Sequence, residues 1–487
     1  MCSVFISQPH HCEYNSRPSW SITSKEVSIN LGGLTLTTES KTLPKPPAFI
    51  LLQAMKASAN PAAFFKRCQE NQGDPFCIQL PGAGDIYLTT SSEGAEEIFK
   101  ASPSIFEPVL PNPVEPLLGA GSLILLGGPR HKKERKLLTP PFQGERMRAY
   151  GDIIQSVVLE EWNAFETDTK INVQNTTQSM TLKVIIRAIF GIEAPERIEL
   201  FQHAIEDTTK RYTPALSLSP ALRKDFAGLG PWKKFRNSYD NFDELLKEEI
   251  DQRRSGEYQS KTDILSLLLD LRYDDGSSIP DSELRDQLRT MLVAGHETAA
   301  TGLTWALFYI HRNPELLASM QAELQEAGGR PTPEQLAKLP LLSGACSEAL
   351  RIHPVVPIVL RRLKDNMTLR GCDIPKGASV GVALTELHHD PDVWSDPAEF
   401  KPDRFVGKRF TPFQYAPFGG GARRCLGAAF ATYEMKIILG TILSRWECEP
   451  LTKKVPPAVL QSITMAPTKK IQLLLKGETS PPIVPHG

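Results

Sequence analysis

The chain has 487 residues, of which 41% are hydrophobic, and its formal net charge is −1. A chain of this length buries a large core, and its balanced charge excludes a general attraction to nucleic acid or to an anionic membrane. The eight cysteines have no paired Cys-x-x-Cys spacing, and the sequence shows no secretory apolar segment. We therefore expect neither a structural zinc site nor a disulfide scaffold, and a reducing, cytoplasmic location.

The N-terminal region differs in composition from the rest. Residues 1–43 are polar and carry no hydrophobic pattern, which predicts a loosely ordered tail. Residues 44–487 contain no long Gly/Ser linker, repeat or block of like charge, so we expect a single domain there. No uncharged apolar stretch reaches 18 residues, so no spanning anchor is predicted, and Pro47 to Met55 is a candidate for contact with a membrane surface.

The hydrophobic pattern predicts a mainly α fold with a small β region. Strand-like segments occur at Phe76 to Gln79 with Ile86 to Thr89, around Met367 to Thr385, and at Ile463 to Leu475. Helical patterns dominate from Arg130 to Leu350. On the helix that begins near Arg130, Lys132, Lys133 and Lys136 form a basic stripe, which is either a solvated face or a docking surface for an acidic protein.

A long helix is predicted between Pro280, suited to a first turn, and Pro314, suited to a helix end. About thirty residues at 1.5 Å each span roughly 45 Å, which is enough to cross a domain. Midway, the run Ala294-Gly295-His296-Glu297-Thr298 breaks the helical pattern. Such local rule-breaking is expected at functional sites, although a threonine in a helix also bonds back to the carbonyl four residues earlier.

Two charged residues lie three apart on the next predicted helix. Glu348 and Arg351 share one helix face, so they form either a surface ion pair of little energetic value or part of a buried cluster.

A glycine-rich loop, Phe418-Gly-Gly-Gly-Ala-Arg-Arg-Cys425-Leu-Gly427, precedes a predicted helix from Ala428 to Arg445. A helix N-terminus offers unpaired N–H groups and a positive dipole end, both of which favour a thiolate, and Arg423 adds a cation. Cys425 is therefore a candidate metal ligand, the alternative being a structural buried cysteine. A phosphate-binding loop is disfavoured because no Gly-Lys-Ser/Thr follows.

The spacing of five loop residues resembles the haem-thiolate signature of the cytochrome P-450 family: Phe418, Gly421, Arg423, Cys425 and Gly427. Glu348-x-x-Arg351 and the later loop around Arg404 are similar to the family's buried charge cluster, and Ala294 to Thr298 is similar to its oxygen-binding groove. The resemblance covers roughly residues 44–475 and is strongest to soluble bacterial and cyanobacterial members. It implies the family's triangular prism fold.

The resemblance also implies a cofactor and its contacts. The cofactor would be haem b, with Cys425 as the axial ligand of the iron and Thr298 and Glu297 managing protons. Phe418, Gly427 and Ala294 would touch the haem. The cations for its propionates would be His131, where the family usually has tryptophan, with Arg135, Arg361 and Arg423; Arg361 is chosen over its neighbour Arg362.

The implied function is a monooxygenase that uses dioxygen and a separate ferredoxin or flavodoxin, since no electron-transfer domain is fused to the chain. We expect a monomer acting on a lipophilic molecule such as a fatty acid, alkane or terpenoid or steroid-like hydrocarbon. The pocket walls would come from Phe106 to Leu126, the helix around Leu292, Val355 to Val359 and Ser462 to Met465. The alternatives are a peroxide-rearranging relative, disfavoured by the Glu297-Thr298 pair, and a haem-based gas or lipid sensor.

Overall fold

The structure is a computed structural model that describes residues 24–31, 34–41, 50–80, 84–109, 112–144, 146–218, 220–225, 230–256, 263–461 and 464–479. The helices of these residues are α1 Ile50–Ala59, α2 Pro61–Gln72, α3 Ser92–Lys100, α4 Glu115–Leu118, α5 Gly128–Leu138, α6 Arg146–Asn163, α7 Val173–Phe190, α8 Pro195–Arg211, α9 Pro214–Leu218, α10 Pro231–Ser255, α11 Ile264–Asp270, α12 Asp281–Arg312, α13 Pro314–Glu326, α14 Pro333–Leu336, α15 Pro340–Ile352, α16 Leu384–Leu387 and α17 Ala428–Arg445. The strands are β1 Ser24–Leu31, β2 Leu34–Lys41, β3 Phe76–Leu80, β4 Gly84–Thr89, β5 Phe106–Glu107, β6 Lys170–Asn172, β7 Ile358–Leu363, β8 Met367–Leu369, β9 Cys372–Ile374, β10 Ser379–Ala383, β11 Trp446–Pro450, β12 Ala458–Gln461, β13 Thr464–Pro467 and β14 Gln472–Glu478.

The small sheets confirm a mainly α fold with a minor β region. The largest sheet has the order β3-β4-β10-β7-β5, in which β10 runs parallel to β4 and the other pairs are antiparallel. A second sheet has the order β11-β14-β6. The predicted strands at Phe76 to Gln79 and Ile86 to Thr89 are confirmed as β3 and β4, whereas β7 was not predicted because Arg361 and Arg362 interrupt its hydrophobic pattern.

The long helix α12 runs through the core. It spans 32 residues and packs against α7, α15 and α17. Its predicted bounds between Pro280 and Pro314 are confirmed, except that Pro280 is the N-cap residue rather than part of the first turn. Pro314 also begins α13. Most of its residues are buried, but Ala294, Gly295, Glu297 and Thr298 are only half-buried in the middle of the helix. Partial exposure at the centre of a core helix indicates an internal cleft at this point.

The loosely ordered tail at residues 1–43 stays a prediction. Within the predicted tail, β1 and β2 pair as an antiparallel hairpin, while residues 1–23, 32, 33, 42 and 43 lie outside the described residues, as do 47–49 of the candidate membrane-contacting segment. Across the described ranges, no helix is both long enough and apolar enough to cross a bilayer.

Candidate active site

The loop that carries Cys425 is a compact turn packed on α3. Gly421–Arg423 forms a single 3₁₀ turn, and the backbone N–H of Cys425 donates to the carbonyl of Phe418 at 2.9 Å. Gly419 and Gly421 have φ values of 66° and 62°, a region that favours glycine. A Cβ on Gly420 would meet the ring of Phe99, so this glycine allows close approach to Phe99, which the sequence did not indicate.

The predicted helix after the cysteine is confirmed as α17, with Gly427 as its N-cap residue. Cys425 is enclosed by protein, and burial raises the pKa of its thiol, while the Gly427 N–H, Arg135 and Arg424 act in the opposite direction. The side chain of Cys425 is nevertheless accessible to solvent. An enclosed yet accessible side chain borders a cleft. Arg135 and Arg424 are therefore cations that act on this thiol, and the expected role of Arg423 beside it stays a prediction.

The four predicted propionate cations lie together. Burial, together with repulsion from Arg423, Arg135 and Arg361, lowers the pKa of His131 to about 4. Burial and then Arg423 lower the pKa of Arg361 to about 10, and burial followed by the neighbouring guanidinium of Arg135 lowers the pKa of Arg423. Arg361 donates to the carbonyls of Leu360 at 3.0 Å and Gly420 at 3.2 Å.

Among the described residues, no carboxylate forms an ion pair with any of these four cations. Clustered positive charges repel each other. Backbone carbonyls do not neutralise them, so the group can bind an anion. The two carboxylates of a haem satisfy this demand, and the accessible thiol of Cys425 lies beside Arg135. The residues present therefore fit a haem.

Arg423 has a second role that the sequence did not reveal. Its guanidinium donates to the carbonyls of Ile124, at 3.2 Å, and Leu126. The same segment is held from α12, because the side chain of Asp286 accepts from the N–H of Gly121 at 2.8 Å and that of Gln287 accepts from the N–H of Leu123 at 3.1 Å. The loop at 119–126 thus connects the cysteine loop to the core helix.

Thr298 lies on the accessible stretch of α12, one turn after Ala294. Its hydroxyl donates to the carbonyl of Ala294 at 2.8 Å, which is the back-bonding that the sequence left as an alternative. In this rotamer the hydroxyl proton is committed to the helix, and the oxygen lone pairs remain as acceptors. Helix α12 continues unbroken through this point. Glu297 is half-buried beside Thr298.

The charge cluster is the most completely paired part of the site. The carboxylate of Glu348 accepts from Arg351 Nε at 2.7 Å and Nη2 at 2.8 Å, and from Arg404 Nε at 3.0 Å. The side chains of Glu348 and Arg351 are fully buried. The remaining Arg351 donors bond to the backbone carbonyls of His388 at 2.7 Å, Pro397 at 2.9 Å and Glu399 at 3.2 Å.

The basic stripe of α5 is largely paired. Lys136 lies 3.0 Å from Asp274, and Lys133 lies 3.6 Å from Asp275 and 3.7 Å from the ring centroid of Tyr273. Three of these groups belong to the loop before α12, so part of the positive charge is neutralised within the chain.

The expected pocket walls converge in part. The backbone N–H of Met465 donates to the carbonyl of Val355 at 2.7 Å, which brings two of the four segments together. Leu292 is fully buried in the core, so the accessible positions of that turn are Met291 and Ala294 instead. Residues 110, 111, 462 and 463 of the expected walls lie outside the described residues.

Comparison with known proteins agrees with this geometry. The family model of cytochrome P-450 matches residues 41–475. The chain belongs to the cytochrome P-450 family. It is 32% identical to cytochrome P-450 138 of Mycobacterium tuberculosis over 392 residues, covering 78% of this chain and 84% of the relative.

Two further matches extend over more of the chain. Cytochrome P-450 135B1 of Mycobacterium tuberculosis is 31% identical over 446 residues, which cover 90% of this chain and 92% of the relative. The structure of cyanobacterial CYP120A1 bound to retinoic acid is similar with a TM-score of 0.78 and 24% identity, covering 90% of this chain and all of that one. This likeness confirms the predicted cytochrome P-450 fold.

Family membership settles the class of chemistry. The chain is a haem-dependent monooxygenase, as predicted, which takes a small-molecule substrate, dioxygen and electrons from a redox partner.

Proposed function

We propose that Cys425 binds the haem iron and that this cytochrome P-450 oxidises a lipophilic molecule with electrons from a separate ferredoxin or flavodoxin. When bound, the haem supplies the iron that activates dioxygen. The observation that carries the proposal is an accessible thiol beside Arg135, which belongs to a group of three arginines and His131 that lack carboxylate partners in the described chain. His131, Arg135, Arg361 and Arg423 hold the propionates. Phe418 accepts the Cys425 N–H and so fixes the direction of the cysteine.

The decisive test is the difference spectrum of the reduced protein with carbon monoxide. Wild-type protein is expected to show the red-shifted band of a thiolate-ligated haem, and Cys425→Ser to lose it. Cys68→Ser is the matched control, because Cys68 is half-buried on α2 and distant in the chain from the loop. A Cys425→Ser protein that keeps the red-shifted band would remove Cys425 as the ligand.

In the proposed mechanism, Thr298 and Glu297 handle protons at the cleft. The Thr298 hydroxyl donates its hydrogen bond to the Ala294 carbonyl, so its oxygen is left to accept a hydrogen bond from a water molecule in the cleft. The half-buried carboxyl group of Glu297 is adjacent in the chain and exchanges protons with solvent. Together they would hold and resupply one proton-donating water in a site that otherwise excludes solvent.

Threonine substitutions test this role. Thr298→Ala is expected to raise the ratio of hydrogen peroxide released to electrons consumed, measured with a surrogate ferredoxin and a long-chain fatty acid. Thr301→Ala is the control, because Thr301 also bonds back, to the Glu297 carbonyl at 2.9 Å, but is buried. An unchanged ratio in Thr298→Ala would contradict the proposed proton delivery.

The lipophilic substrate class is supported by the apolar character of the converging segments. Val355, Met465 and the accessible Met291 and Ala294 carry no charge, and pockets of this composition favour apolar ligands. CYP120A1, which has a similar fold, was solved with retinoic acid bound, and this ligand of that protein is in line with the proposed class. Fatty acids, alkanes and terpenoids are expected to shift the spin state of the ferric haem, and sugars are not. A shift caused only by polar molecules would overturn the proposed class.

A further inference from the structure

A second cavity lies beside the cysteine loop. It has a volume of about 320 Å³ and is enclosed by α15, α17 and the segment from Phe410 to Gly419. Neither Cys425 nor any of the four clustered cations is among its lining residues, and Thr298 is also absent from them. The cavity is therefore separate from the cleft proposed for haem and substrate, although Phe418 borders both regions.

The walls of this cavity combine apolar and polar surface in similar amounts. Leu350, Phe410, Pro412 and Met435 contribute hydrocarbon, aromatic and thioether surface. The thiol of Cys346 is neutral, because burial raises its pKa to about 12.

The hydroxyl groups that line the cavity have already used their donors. Ser347 donates to the carbonyl of Ser343 at 3.0 Å, and Thr432 donates to that of Ala428 at 2.8 Å. The hydroxyl of Tyr415 donates to the carbonyl of Ser347 at 2.9 Å. A ligand inside the cavity would therefore meet apolar surface and few free donors.

One charged side chain lines the cavity. The guanidinium of Arg424 is exposed, and no carboxylate of the described chain forms an ion pair with it. Lys436, on the neighbouring face of α17, is instead committed to the carbonyl of Ala337 at 3.1 Å. The only uncompensated charge at the cavity is thus positive, and a guanidinium binds a carboxylate or a sulfonate through two parallel hydrogen bonds.

We propose that this cavity is a binding site for a small anionic amphiphile, whose apolar body fills the space between α15 and α17 and whose anionic group pairs with Arg424. The volume lies at the lower end of the range for small-molecule sites, which favours one short chain or ring system. The proposal does not depend on the identity of the iron ligand or of the oxidised substrate.

Calorimetric titration of the haem-loaded protein tests the proposal, with decanoate as the probe. Wild-type protein is expected to bind decanoate at least about tenfold more tightly than decanol or decylammonium, which have the same chain without the negative charge. Because a fatty acid also enters the proposed substrate cleft, only the part of decanoate binding that depends on Arg424 supports the proposal.

Substitution of Arg424 locates the binding. Arg424→Gln is expected to weaken decanoate binding about tenfold or more, and Arg424→Lys to keep part of it. Arg409→Gln is the matched control, because Arg409 is exposed on the adjoining loop but does not line the cavity. Retention of the red-shifted carbon monoxide band shows that each variant is folded. Decanoate binding that is equally tight in Arg424→Gln and wild type would place the ligand elsewhere and overturn the proposal.

Discussion

Two groups of buried charged side chains in this cytochrome P-450 differ in whether the protein itself supplies the opposite charge. In the first group, Glu348, Arg351 and Arg404 satisfy one another, and all five N–H donors of Arg351 have protein acceptors. In the second, Arg135, Arg361 and Arg423 bring positive charge together around His131, without a carboxylate from the described chain. The first group is closed, whereas the second is open to an anionic ligand.

The difference separates a structural role from a binding role. A closed buried network stabilises the fold because removal of one partner leaves a buried charge unpaired. An open network costs stability in the absence of its ligand, because like charges repel each other and are partly desolvated. Removing one charge should therefore lower the stability of the haem-free protein in the first group and should not lower it in the second.

The largest effect is expected from Glu348→Gln. This change leaves Arg351 fully buried without its anion, and we expect a loss of about 3 to 5 kcal/mol in the free energy of unfolding. Urea unfolding followed by circular dichroism measures it. The control is Glu399→Gln, because Glu399 is exposed and its 2.8 Å ion pair with Lys401 should contribute at most about 1 kcal/mol. Equal losses in the two variants would show that the buried cluster is not structural.

The second prediction concerns the open group. Arg361→Gln is expected to speed haem loss to apomyoglobin about tenfold or more, since one charge-assisted hydrogen bond to a propionate disappears. The haem-free protein should lose no stability, because one of several like charges is removed. Arg362→Gln is the control: its side chain pairs with Glu107 at 3.1 Å, and consecutive strand residues point to opposite faces. Faster haem loss in Arg362→Gln alone would reverse the choice between the two arginines.

The sequence indicated which residues belong to each group, but not whether the protein supplies a partner for every donor and charge. Spacing alone placed Glu348 and Arg351 on one face, and the resemblance to the family added Arg404 and the four cations. The three backbone carbonyls that complete the donors of Arg351 come from 37 to 48 residues further along the chain. No local pattern reports such contacts.

Other features of the site depend equally on distant packing. The hydrogen bonds of Asp286 and Gln287 to the loop at 119–126 join residues more than 160 positions apart. Similarly, Glu434 is one of three charged residues in the sequence of α17, whereas in the fold it is fully buried and burial raises its pKa well above the usual range. Helix periodicity predicted α12 and α17 because those signals are local. It did not predict which polar side chains meet a partner.

The third prediction concerns how the stability of the haem-free protein depends on pH through His131. The pKa of His131 is about 4 in the fold and near 6.5 in the unfolded chain. Between these values the unfolded state binds more protons, so stability is lost as the pH falls from about 6.5 towards 4. His131→Gln in the haem-free protein should reduce this acid loss, measured as the free energy of unfolding at pH 7 and pH 5.

Other histidines define the background of that measurement. His353 and His388 also have pKa values lowered to about 3 by burial, so part of the acid loss remains in the His131→Gln variant. The share of His131 is the difference between variant and wild type. An identical pH dependence in both proteins would contradict the proposed crowding of His131 among the arginines.

The smallest effect is expected on the outer face of α5, where the same helix carries both kinds of cation. Lys136 is exposed and lies 3.0 Å from the exposed Asp274, whereas Arg135 is half-buried near Cys425. Lys136→Gln should change the free energy of unfolding by less than about 1 kcal/mol and leave the rate of haem loss unchanged. Arg135→Gln, one position earlier, should speed haem loss. If both variants accelerated haem loss alike, a general positive potential of α5, and not an open set of inward cations, would hold the propionates.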